Sequence, residues 1–123
     1  MASLQPIESG DEPPTPMTRC PMTAALTAIG GKWSLILLYF LDSGTRRFNE
    51  LRRLVPDVSH KVLTETLRNL EEEDLIVRTV HSLAPSHVEY EISEHGKSVL
   101  PLMHAVREWG RGHLDRKLGG AAK

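Results

Sequence analysis

His60, Lys61, Thr64, Glu65 and Arg68 fall on one side of a stretch whose apolar residues Leu63, Leu67 and Leu70 fall on the other. That spacing is helical, and the polar side mixes donors with an acceptor in the way base edges require. A lysine can donate to guanine and a glutamate can accept from the amino group of cytosine. His60 and Thr64 stand close enough to the helix start to reach the same edges. Arg68 lies one turn further along, where a cation meets phosphate rather than a base. Ser59 precedes the run and can cap it, its hydroxyl accepting from a free N–H of the first turn. Arg46 and Arg47, upstream, are further candidates for the sugar-phosphate backbone. Arg52 and Arg53 read two ways, as phosphate contacts or as the solubilising charges of any surface helix.

The sign of the charge then reverses, because Glu71, Glu72, Glu73 and Asp74 follow directly. Acids in a last helical turn oppose the macrodipole, which favours cations there. Local helix stability therefore does not account for them. A helix whose start faces phosphates and whose acidic end is held off the duplex does; the alternative is a plain solvated helix end.

Positioning these residues takes a helix before them and a sheet after them. Phe48, Leu51 and Val55 mark one face of a short helix, with Leu54 flanking and Pro56 and Asp57 closing it. Two short helices joined by a tight turn, the second turning polar groups outward, form a helix-turn-helix. Leu75 to Val80 and His87 to Ile92 read as strands around a loop at Leu83, Ala84, Pro85 and Ser86. A hairpin in that place is a wing. His81 and His87 flank its tip, and no Lys or Arg lies between Arg78 and His87. The wing thus either offers phosphate a protonated His87 or only packs beside the duplex.

Met22, Ala25, Leu26 and Ile29 recur at helical spacing, with Pro21 suited to a first turn and Gly30 and Gly31 to an end. From Lys32 to Leu41 apolar residues occupy every face, which predicts a core helix buried all round, stopped by Asp42, Ser43 and Gly44. Ser93 caps a final long helix striped by Val99, Leu102, Met103, Val106 and Trp109, and Pro101 must kink or divide it. One recognition helix reads only a few base pairs, so two copies on a palindrome are expected. Leu102, Val106 and Trp109, joined by Met22, Leu26 and Ile29, are the expected dimer surface, the alternative being packing onto the domain itself. The predicted fold is mainly α with a small β-hairpin (α+β). It is a winged helix-turn-helix domain with extra N- and C-terminal helices forming a dimer interface.

At 123 residues and 40% hydrophobic, the chain suits one compact domain and is too short for two. Its formal charge of -1 hides an uneven distribution. Residues 1–17 hold Glu8, Asp11 and Glu12 and no Lys or Arg, so setting them aside changes 15 basic against 16 acidic residues into 15 against 13. Pro6, Pro13, Pro14 and Pro16 in the same stretch cannot support enough burial to offset ordering entropy. The expected organisation is a flexible arm over 1–17, the winged domain over 18–118 and a disordered tail over 119–123. The start lacks the basic and continuously apolar pattern of a secretory signal, and the longest apolar run, Leu35 to Leu41, is far short of the ~20 residues a bilayer needs. A soluble, cytoplasmic protein with no membrane partner is expected. The single cysteine, Cys20, excludes an intramolecular disulfide and fits a reducing compartment.

Several stretches in order carry a resemblance. They are Cys20 with Pro21; Ile29, Gly30, Gly31, Lys32 and Trp33; Arg47, Phe48, Asn49, Glu50 and Leu51; Ser59, Lys61, Leu63, Thr64, Leu67, Arg68 and Leu70; Val88, Glu89 and Tyr90; and Glu108, Trp109 and Gly110. Together they resemble the HxlR-type winged-helix transcription regulators of bacteria over nearly all of Cys20 to Leu114. The resemblance implies a homodimeric repressor or activator built through its terminal helices, and it supports the roles of Ser59, Lys61, Thr64 and Arg68. Two departures stand out. Asp74 replaces a usual glycine after the recognition helix, at a cost on the order of 1 kcal/mol if a left-handed conformation is needed there. His87 replaces a common basic wing residue. In some similar proteins a cysteine before the first helix senses oxidants or electrophiles, and a helix N-terminus beside Cys20 could lower its thiol pKa. With no second cysteine, the product would be an intersubunit disulfide, a mixed disulfide or an adduct. The other reading of Cys20 is a small buried apolar residue.

Catalysis is not indicated. His60, His81, His87, His95, His104 and His113 show no metal-ligand spacing, and there is neither a phosphate-cradling glycine loop nor a G-x-S-x-G motif. No cofactor is expected. The expected partners are double-stranded DNA and a second copy, with the effector unidentified. The rival reading is a winged-helix module for protein interaction without specific DNA binding, since fold does not fix function.

Overall fold

In the computed structural model, which describes residues 19–81 and 87–119, Pro21 opens the first helix where its missing N–H costs nothing. The elements run α1 (Pro21–Ile29), α2 (Ser34–Asp42), β1 (Arg46–Arg47), α3 (Phe48–Leu54), α4 (His60–Glu72), β2 (Ile76–Val80), β3 (Val88–Ile92), α5 (Glu94–Lys97) and α6 (Leu100–Gly119). The expected arm over 1–17, the wing loop at Leu83 to Ser86 and residues 120–123 of the expected tail lie outside the described residues. Gly119, placed with that tail by the sequence, is instead the last residue of α6.

Leu37, Leu38 and Leu41 of α2 are sealed at the centre of the core, together with Leu51 of α3 and Leu63, Leu67 and Leu70 of α4. Each such side chain contributes roughly 1.5–3 kcal/mol relative to exposure. Leu75, Ile76, Val88 and Tyr90 bring the sheet onto this cluster, and Met103 brings α6. Two sequence expectations change here. The second helix is not buried all round, because Ile36 and Tyr39 remain exposed on the side facing α6. Ile29, expected at a dimer seam, is only 9% exposed and belongs to the core. As the last residue of α1 it turns inward just where Asn69 of α4 donates to the Ala28 carbonyl at 3.4 Å.

The expected hairpin is a three-stranded antiparallel sheet in the order β1-β3-β2. Arg46 stands opposite Tyr90 and Arg47 opposite Glu89 on one edge of β3, while Arg78 and Thr79 meet Tyr90 and Glu89 on the other. Asp74 enters β2 with φ 63, the left-handed conformation that a glycine adopts at less cost. The Ser93 hydroxyl donates to the Asp74 carbonyl at 2.6 Å and accepts from the Gly96 N–H at 2.8 Å. It therefore ties the hairpin's entry to its exit while capping α5. Gly96 is buried, and a Cβ there would run into the Leu75 carbonyl oxygen. The final helix is divided rather than kinked. Pro101 falls in the first turn of α6, just after the break at Ser98 and Val99, where a missing N–H is harmless.

Candidate nucleic-acid interface

Ser59 starts α4 as expected, its hydroxyl accepting from the Val62 N–H at 3.1 Å. With Leu63, Leu67 and Leu70 buried, the opposite flank presents His60, Lys61, Glu65 and Arg68 to solvent and leaves Thr64 half-buried. Among the described residues Lys61, Glu65 and Arg68 have no ion-pair partner. The His60 ring leans on Phe48 of α3 at 4.9 Å between centroids, so one side of the imidazole is fixed and the other open. Glu72, the last residue of α4, lies about 18 Å along the axis from the helix start at 1.5 Å per residue. That is roughly two Debye lengths at physiological salt, so its charge hardly reaches that end.

An open groove of about 930 Å³ runs between the starts of α3 and α4 and the sheet, lined by Arg47, Arg53, His60, Thr64 and Arg78, with Glu50 the one acid among its described residues, above Val88 and Tyr90. Three arginines thus converge beside the polar flank of α4. Arg53, ambiguous from sequence, lines this groove, whereas Arg52 does not. Arg78 was missed. Its signal was present, because a period of two from Ile76 puts it on the sheet face that carries Tyr90 and Val88, where an apolar residue is the norm.

The two arginines before α3 part company. Arg46 donates from Nη2 to the Ser43 hydroxyl at 2.9 Å and from Nε to the Phe40 carbonyl at 3.5 Å, closing the end of α2. It does not line the groove. Arg47 does, and its Nε stands 3.8 Å from a Glu89 oxygen. The other Glu89 oxygen meets His81 Nε2 at 2.7 Å. Glu50 accepts from the Arg47 N–H at 2.7 Å and thereby fixes the start of α3. His87 is exposed at the base of the wing loop, its carbonyl accepting from the His81 N–H at 3.0 Å.

A second surface is apolar. Met22 (67%) and Leu26 of α1 and Leu102, Val106 and Trp109 (69%) of α6 are all exposed, as expected of them and unlike Ile29. Leu114 and Leu118 are exposed further along α6, but at five and nine residues beyond Trp109 they fall on another side of the helix. The Trp109 ring stacks on His113 at 4.8 Å.

Cys20 is the residue from which α1 starts, and it is half-buried. The Thr23 backbone N–H, then the Thr23 hydroxyl and the Met22 N–H, favour its thiolate and hold the thiol below its ordinary pKa. Among the described residues no group of three or more His, Cys, Asp or Glu could hold a metal ion. No single described helix is long and apolar enough to cross a membrane; α1 and α2 form an apolar pair bent by 68°, of which α2 supplies the centre of the core.

The chain matches the model of the HxlR-like helix-turn-helix family over residues 28–118. It is 42% identical to an HTH-type transcriptional regulator, YdeP of Bacillus subtilis (strain 168), across 85% of this chain and 83% of that protein. Among solved structures it resembles the redox regulator HypR in its oxidized form, with a TM-score of 0.70 and 40% identity over 76% of this chain and 96% of that one. The reduced form of HypR gives a TM-score of 0.72 and 37% identity over 82% and 98%. With its helix-turn-helix, its wing and these likenesses over most of its length, the chain belongs to the HxlR-like helix-turn-helix family.

Proposed function

We propose that this chain is a sequence-specific DNA-binding transcriptional regulator, repressor or activator, that works in the cytoplasm as a homodimer on a palindromic operator. The observation that carries this reading is the groove in which Arg47, Arg53 and Arg78 converge beside the open flank of α4. The start of α4 enters a major groove, where Lys61, Thr64, Glu65 and the free side of His60 meet base edges. The groove arginines and Arg68 meet phosphates, which fix orientation without reading sequence. The names of relatives such as YdeP agree with this.

The homodimer rests on a different surface. Large apolar side chains exposed on both terminal helices are the kind of patch a second copy covers. A two-fold pair would then repeat α4 at the spacing of successive half-sites. A thiol response at Cys20 is favoured by the depressed thiol pKa, since the thiolate is the reactive form. The likeness to a protein described as a redox regulator points the same way.

Mobility shift with operator fragments selected from genomic DNA tests the proposal. Lys61→Ala should weaken or relax operator choice by ~1–3 kcal/mol, while Arg68→Ala should weaken all sequences alike. Binding that ignores salt, or equal losses on operator and random DNA from both changes, would overturn the division of labour. For Cys20, oxidant should release operator from the parent chain and not from Cys20→Ser; identical responses would remove the sensor.

A further inference from the structure

The open side of α2 and the adjoining side of α6 leave a groove of about 330 Å³, lined by Ile36, Tyr39, Phe40, Met103, Val106 and Arg107. We propose that this groove binds a small aromatic carboxylate, which acts as the effector of the regulator; the effector role, though not the binding, rests on the function proposed above. The volume is at the lower end of the roughly 300–1,000 Å³ of small-molecule sites. Tyr39 and Phe40, whose rings stand 5.4 Å apart at 71°, both line the groove, and aromatic side chains favour a flat ring as a neighbour. Polar groups are few. Arg107 has no ion-pair partner among the described residues, and the Tyr39 hydroxyl has no hydrogen-bond partner among them. Arg107 and Tyr39 both line the groove, and one guanidinium and one hydroxyl without partners among the described residues match one carboxylate, which arginine binds through two parallel N–H donors. A dianion would leave a charge uncompensated.

A second copy fits this groove less well than a ligand does. An apolar helix laid over it would bury the Arg107 charge without a counter-ion, a costly step. The neighbouring acid, Glu108, is already 3.4 Å from Arg111. The position also suits regulation. Helix α2 packs on α3, α4 and β3, while Val106 belongs both to this groove and to the apolar stripe. A ligand wedged between α2 and α6 therefore sets the angle between the DNA-reading unit and the helix proposed to meet a partner.

The test is calorimetric titration of the full chain with 2-naphthoate and with its neutral analogue 2-naphthalenemethanol. 2-Naphthoate should bind saturably, one per chain. Arg107→Gln should weaken it by about tenfold or more while changing the neutral analogue by no more than about twofold, the difference being the charged hydrogen bonds. Ile36→Trp should fill the groove and abolish binding of both, with circular dichroism confirming the fold. Three outcomes would overturn the site: no saturable binding below about 10 mM, no discrimination by Arg107→Gln, or a dimer dissociation constant raised about tenfold by Ile36→Trp, which would make a second copy the occupant. Mobility shift on the same samples separates the two readings. A chain that shifts operator but fails to bind 2-naphthoate loses this groove alone, and one that binds 2-naphthoate but no DNA loses the regulatory reading alone. Operator affinity that 2-naphthoate leaves unchanged in the parent chain would remove the effector role.

Discussion

Replacing Arg78 with Gln takes one guanidinium off the wall of the DNA groove while keeping a hydrogen-bonding end and much of the stem. The side chain is exposed and has no ion-pair partner among the described residues, so no acid is left unsatisfied and stability should stay within about 0.5 kcal/mol. If Arg78 meets one phosphate in each chain, each contact contributes about 0.9 to the slope of log K against log salt. Two chains on one duplex should then lower the slope by about 1.8, and a single chain by about 0.9, so the size of the change also counts the chains. Between roughly 50 and 200 mM salt, a dimer of the parent chain should lose about tenfold more affinity than a dimer of the variant. Operator and random duplexes should change alike, because phosphates carry no sequence. Fluorescence anisotropy at several potassium chloride concentrations, with urea melts as a control on folding, measures all of this. An unchanged slope, or a loss confined to operator DNA, would refute the groove as the seat of the phosphate backbone.

Further perturbations probe other links. Gly96→Ala should destabilise the domain by about 1–3 kcal/mol, because the added carbon meets the Leu75 carbonyl and lies 2.8 Å from Ile92 Cγ1; a urea midpoint like that of the parent would mean that α5 can lift freely. Asp74→Gly should raise stability by up to about 1 kcal/mol, the relief of a left-handed residue less the entropy glycine brings to the unfolded chain, and a loss would contradict strain at φ 63. The folded Cys20 thiol is depressed, so its thiolate stabilises the fold above the unfolded thiol pKa, and that contribution fades as pH falls through the folded value. Alkylation by iodoacetamide should accordingly rise at lower pH in the native chain than in urea, and Thr23→Val should move the native inflection part of the way back up; coincident profiles would count against the cap.

The recognition helix was legible because three signals agreed: a capping serine, a leucine stripe and a polar flank. Asp74 was legible too, since its side chain suits the one backbone conformation that can turn the chain from α4 into β2. The short strand β1 was not. Two arginines in succession have neither alternation nor β-branching, and their pairing is set by Tyr90 and Glu89, far away in sequence. The different duties of Arg46 and Arg47 could not be separated beforehand either, because they follow from the partners each side chain finds in the fold, Ser43 and Phe40 for Arg46 and the distant Glu89 for Arg47. The open side of α2 escaped detection for another reason. A uniformly apolar stretch carries no record of which face its neighbours cover, and Ile36 and Tyr39 look no different in sequence from Leu37 and Leu38.

Arg47 is at once the last residue of β1, opposite Glu89, and the residue from which α3 starts. No spacer separates the sheet from the first helix of the pair, so wing and helices form a caliper of fixed opening. On the proposed reading, the duplex must then supply whatever adjustment its seating needs. Operators would be ranked partly by how easily their base steps bend or narrow, at positions that no side chain touches.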